Sequence, residues 1–295
     1  MRKLLRYAHY LTLLFGGIGM LLMVWLHAAG VDEKGLYPAN HPAWTILFYL
    51  TIAVPAFLWF LCKQSGNNTD YRENFPPSIL AAAGYLLAAS GLIVAGIAML
   101  DASKFMEFIA GLVGICSGPM MLYGAFCRYA GKRPRFPIHC LPCFFFALQL
   151  FCMGNTLGAE PEMARYLFPF LSALSMLPAC YWIWSFEVDM GQRNKCLFWC
   201  LTAAYCNLVA AIGSSQWFPY CSMALWLLSS SPRLKYMSKR PHPAVCVTTD
   251  PEDAPLPPPP DTNVVAEVAS HSPAVADVDA ILEEILREYS QDSTN

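Results

Sequence analysis

Cys140 and Cys143 stand two residues apart beside His139. A C-x-x-C spacing suits a dithiol couple or half of a tetrahedral zinc site, and a helix N-terminus lowers a thiol's pKa. Cys196 and Cys200 lie one helical turn apart at the same expected depth, and Cys62 and Cys127 end two other helices there. Four thiolates from two helices could hold one metal ion. Two facts weigh against this chemistry. The membrane face on which these residues are expected is normally reducing, and apolar helices use cysteine freely as a small hydrophobe. Cys140, Cys143, Cys196 and Cys200 are therefore a distant metal candidate, and no cofactor is expected.

Enzyme templates are missing. The chain has no glycine-rich phosphate loop, no HExxH, no nucleophile elbow and no sequence cluster of His with acids. Ionisable groups inside a membrane usually mark proton or ion paths, yet no carboxylate falls at the centre of an apolar run. The mid-run polar groups are mild, chiefly Gln149, Asn155 and Asn207. Gln149 and Asn207 suit a hydrogen bond to a neighbouring helix, or contact with an uncharged solute. Pro55, Pro119 and Pro178 free backbone carbonyls, and broken helices are where transporters build solute sites. Gly114-x-x-x-Gly118 and the glycines at 16, 17 and 19 let backbones approach closely. Trp59 and Trp182 suit an aromatic belt at the membrane interface.

These residues sit in long apolar elements. Of 295 residues 56% are hydrophobic and 14% charged, whereas a soluble domain is about 25% charged. Mean hydropathy is +0.39. Apolar runs of about 20 residues match a hydrocarbon core about 30 Å thick. Eight predicted helices fall near 7–29, 44–61, 79–100, 105–126, 138–158, 166–186, 196–212 and 217–230. The first follows Arg2, Lys3 and Arg6 and is too long for a signal-peptide core, so a retained helix is expected. The last is short and suits a re-entrant segment as well as a crossing. The expectation is an all-α integral membrane protein.

Charge orients the scheme. With both termini cytosolic, fifteen Lys and Arg fall on the inner side, against Lys34, Lys104 and Arg165 outside. Seven crossings would place Arg233–Arg240 outside, so eight are preferred. The connector 128–135 holds Arg128, Lys132, Arg133 and Arg135 without an acid, and is read as a cytosolic loop against lipid headgroups. The whole chain carries 19 bases and 21 acids; eleven acids and one base, Arg287, follow residue 249. The membrane part is therefore about +8 and the tail about −10, which argues against nucleic acid as a partner.

The tail begins with a basic stretch and then a proline-rich acidic linker, 233–274. Beyond it Val278, Ile281, Leu282, Ile285 and Tyr289 fall on one helical face, a short amphipathic helix suited to a cytosolic protein partner. Upstream, Pro55-Ala-Phe-Leu-Trp59 and Pro178-Ala-Cys-Tyr-Trp182 share a PAxxW pattern at matching positions of two apolar blocks, 1–127 and 136–232. Parallel duplication of four helices would produce this. Two functions follow. One is a permease-like protein handling an uncharged or amphipathic solute or lipid near Pro55, Trp59, Pro178 and Trp182. The other is a membrane anchor or sensor that docks its partner through the tail. The expected location is the plasma membrane.

Overall fold

A computed structural model describes residues 7–29, 41–100, 104–157, 163–214 and 216–232, all within Met1–Ser238. The basic N-terminal residues 2, 3 and 6, the proline-rich linker and the tail residues Val278, Ile281, Leu282, Ile285 and Tyr289 lie outside the described residues.

Among the described residues every regular element is a helix. They are α1 (Ala8–Ala28), α2 (Pro42–Lys63), α3 (Tyr71–Asn74), α4 (Ile79–Leu100), α5 (Phe105–Ala130), α6 (Cys140–Leu157), α7 (Met163–Glu187), α8 (Arg193–Gly213) and α9 (Trp217–Ser230). Hydrocarbon offers the backbone no water, so an apolar run must satisfy its N–H and C=O groups internally, as a helix does. Six of these, α1, α2, α4, α5, α7 and α8, are long and apolar enough to cross a membrane. The other two apolar helices are shorter: α6 is apolar over Cys140–Gly154, and α9 has 14 residues.

Local chemistry sets the helix ends. Pro42 opens α2, with the His41 ring accepting from Ala43 N–H at 3.3 Å. Ser78 Oγ accepts from Ala81 N–H at 3.3 Å as α4 begins. The polar stretch 63–73, between the expected helices 44–61 and 79–100, contains the start of α3. Asp70 caps this helix by accepting from Arg72 N–H at 2.9 Å, and the Asn68 side chain accepts from Asp70 N–H at 2.8 Å. Helix α5 ends in a left-handed Gly131 (φ 64°), with Lys132 N–H donating to Cys127 O at 2.9 Å. Helix α7 ends the same way at Asp189 (φ 62°), with Met190 N–H donating to Ser185 O at 2.8 Å.

Packing follows a ring. Each of α4, α5, α6, α7, α8 and α9 packs on the next, and α9 closes back on α4. Inside it lie Tyr85, Leu92, Met121, Phe145, Met176, Phe186, Ala203 and Trp226. Helices α1 and α2 form a hairpin against the outside of α8. Because α8 faces both groups, 78% of its apolar window is buried, against 28% for α1 or α2. At the α4–α5 crossing a methyl added to Gly96 would lie 2.7 Å from Gly111 O. Gly114 meets Phe145 and Gly96, and Gly118 meets Ile93, so these glycines serve close approach.

The connector differs from its expected form. Helix α5 continues through Arg128 to Ala130, and Arg128 is buried rather than turned toward headgroups. Lys132 and Arg135 are exposed, and Arg133 is partly buried. Nor does packing divide at the connector: α4 packs on α9, α5 on α6, and α1 and α2 on α8.

Candidate functional site

One end of the bundle gathers the starts of α1, α4, α6 and α8 and the ends of α2, α5, α7 and α9. Lys63, Arg72, Arg128, Lys132, Arg133, Arg135, Arg193 and Lys195 lie at or beside these helix ends. At the centre of this end is a buried polar cluster. His139, just before α6, places Nδ1 2.7 Å from Glu187 Oε1 at the end of α7, with side chains 1% and 2% exposed. His139 Nε2 lies 2.9 Å from the Tyr85 hydroxyl on α4. The imidazole stacks on Trp226 of α9, ring centroids 5.8 Å apart and planes at 9°. Four elements of the ring thus meet at one imidazole. Arg133 ties the connector to the same corner: it forks onto Asp189 at 2.9 Å and donates to the Glu187 carbonyl. So enclosed, the His–Glu pair holds helices together.

Sequence reading missed this cluster. Glu187 falls just past the expected helix 166–186, and His139 stands beside the cysteines in the chain. The two are 48 residues apart, and only helix packing brings them together.

Arg128 lies one layer further out. It is 4% exposed. Its guanidinium carbon stands 5.1 Å over the Phe75 ring, and Nε and Nη1 are buried without a hydrogen-bond partner among the described residues. Phe75 is planted there by α3 and by edge contact with Phe186. Burial pushes the neighbouring Tyr71 phenol up, while the Arg128 charge pulls the other way.

Arg128 lines a groove of about 790 Å³. Its walls come from the first turns of α1 and α4, the last turns of α9 and the segment 74–78. Leu13, Leu80, Leu87, Leu225 and Leu228 make it largely apolar. His9, Asn74, Ser78, Ser229 and Ser231 stand among them, and His9 Nε2 bonds Ser231 Oγ across the mouth. Tyr10 and Leu80 are about 70% exposed, so the walls run into the outer, lipid-suited surface. Gly84 and Leu225 face this groove, while their neighbours Tyr85 and Trp226 face His139. The buried cluster therefore fixes α4 and α9, two of the helices that wall the groove.

The residues singled out from sequence are dispersed. Gln149 and Asn207 do meet, at a second cavity of about 20 Å³ among α4, α6, α8 and α9. That is room for about one water. Asn207 Oδ1 accepts from Ser172 on α7 at 2.9 Å, and its amide donates to Ala203 O at 2.7 Å. Its bonds are those of a helix–helix contact. Pro55, Trp59, Pro178 and Trp182 line neither cavity. Trp59 is exposed beneath Lys63 (5.1 Å) and Trp182 is half-buried beneath Lys195 (4.8 Å), each one turn or one loop from its cation. Cys196 and Cys200 are buried with sulfurs 3.9 Å apart, Cys140 is exposed, and Cys143 points at Leu177 O. Among the described residues no three His, Cys, Asp or Glu are grouped to hold a metal ion. Comparison of the chain with protein-family models, curated proteins and solved structures finds no match.

Proposed function

We propose that this is a permease-like multi-pass membrane protein that handles an amphipathic solute or lipid through the groove between α1, α4 and α9. The groove itself carries the reading. It combines leucine walls that run into the lateral surface with polar groups, Arg128, Asn74 and Ser78, at the basic end, the pairing an amphiphile needs. From Leu80 to Leu87 it runs about 10 Å along α4, far enough to take a head and the first carbons of a chain. The mid-bundle cavity, by contrast, is too small for a solute. The site therefore moves from the PAxxW prolines and tryptophans to the basic end.

In this reading all eight apolar helices cross the plasma membrane with both termini cytosolic, and the basic end faces the cytosol. In this reading the four-plus-four duplication rests on the PAxxW pattern of the two blocks. Contacts between the halves are unequal, since α8 packs on α1 and α2 whereas α4 packs on α9. The anchor reading rests on residues 275–295, outside the described part, and no described feature favours it.

Reconstitution in vesicles tests the proposal. A fluorescent phospholipid analogue should cross the bilayer faster with the protein than without, and Ala83→Phe, which fills the groove from an exposed position, should slow it several-fold. If wild type and Ala83→Phe both match empty vesicles, the proposal fails.

A further inference from the structure

Among the described residues Arg128 is a cation without a counter-ion. An arginine side chain keeps its charge at any working pH, and a buried charge needs a compensating partner. The acids nearest in the fold are already engaged. Glu187 pairs with His139, Asp189 with Arg133, Glu73 with the Asn68 amide, and Asp70 caps α3. Among the described residues no carboxylate lies within 4.0 Å of Arg128. The Phe75 ring face offsets part of the charge, and two guanidinium nitrogens still lack acceptors.

A second orphan stands in the same groove. Asn74 is fully buried and donates its amide to Asp70 O at 2.7 Å and Asn68 O at 3.3 Å. Both acceptors are carbonyls, which fixes the amide's orientation. Asn74 Oδ1 is left buried without a donor among the described residues. One end of the groove thus offers a bare cation and a bare acceptor. An oxyanion that also carries a hydroxyl satisfies both. The leucine walls and their opening onto the lateral surface select how that head arrives, on an acyl chain from the membrane.

We propose that the groove binds an anionic phospholipid whose head carries a free hydroxyl, its phosphate held by Arg128 and its hydroxyl donating to Asn74. This rests on the groove being an amphiphile site and names the chemistry of the head. The guanidinium gives phosphate a charge-assisted bond that a zwitterionic head, with its own cation beside the phosphate, weakens.

The test uses the full chain in detergent, titrated with phosphatidylglycerol or with phosphatidylcholine of the same acyl chains, bound lipid being counted by native mass spectrometry. Phosphatidylglycerol should bind about tenfold more tightly. Arg128→Gln should abolish the preference, and Arg135→Gln, an exposed cation at the same end, should keep it. Wild-type thermal stability gives a readout that needs no variant: phosphatidylglycerol should raise Tm more than phosphatidylcholine, and inorganic phosphate should not. Equal binding of both lipids, weakened in both cases by Ala83→Phe, would overturn this inference and leave the amphiphile reading standing. No lipid binding sensitive to Ala83→Phe would remove both. Inorganic phosphate that displaces the lipid, or stabilises as strongly, would make this a site for a soluble anion and overturn the proposal.

Discussion

His139 and Glu187 owe their importance to where they are buried rather than to any reaction. Removing one member of a buried charged or hydrogen-bonded pair strands the other, at a cost of about 3 kcal/mol or more. His139→Ala and Glu187→Ala should each lower stability by about that much in thermal unfolding of the detergent-solubilised protein. The double variant should lose clearly less than the sum, by at least about 1 kcal/mol. Strict additivity would mean that the 2.7 Å contact contributes nothing. Tyr85→Phe removes one hydrogen bond to the imidazole and should cost about 1 kcal/mol. None of this was legible in the chain. His139 looked like an appendage of C-x-x-C, and Glu187 like a loop residue, because sequence shows neighbours along the chain and not across it. Arg128 follows the same rule: in a run of four cations each is equally suited to solvent, and its burial depends on Phe75, fifty-three positions earlier.

Helices cross where side chains allow. Gly96 and Gly111 let α4 and α5 approach backbone to backbone, whereas Gly17 on α1 has nothing within 4 Å of an added methyl. Gly96→Ala should therefore destabilise by at least about 2 kcal/mol through overpacking. Gly17→Ala should be neutral, or stabilise by up to about 1 kcal/mol through helix propensity. Melting temperatures of the two variants check both, and equal shifts would show that the α4–α5 crossing is looser than described. Gly131→Ala should cost about 1 kcal/mol, since φ is 64° and Pro77 stands 3.2 Å from the added carbon. Helix positions themselves were readable from the apolar runs. The short α3 was not, because it depends on one Asp cap within a polar stretch.

Across the whole molecule, the ring of α4 to α9 with α1–α2 outside sets two ends of unequal charge. The described cations cluster at one end, and Lys104, paired with Glu107 at 3.4 Å, marks the other. With exposed Cys116 and Cys140 and the tail's Cys246 replaced by Ser, Arg135→Cys and Lys104→Cys should react with an impermeant thiol reagent from opposite sides, Arg135→Cys only after the cytosolic face is opened. Labelling of both from one side would rule out a spanning bundle with these ends. Reversed labelling would invert the orientation and put the groove in the outer leaflet.

Composition and run length by themselves determined that the chain is an all-helical, membrane-suited protein, and roughly where each helix lies. Apolar segments of this length have one low-energy answer, since hydrocarbon leaves no other way to pair the backbone. Which helices touch was decided only by tertiary structure. A helix that is apolar all round carries no stripe to mark its inner face, so the choice falls to small residues and to polar contacts between distant positions. Those contacts carried the groove away from the PAxxW pair and toward Arg128.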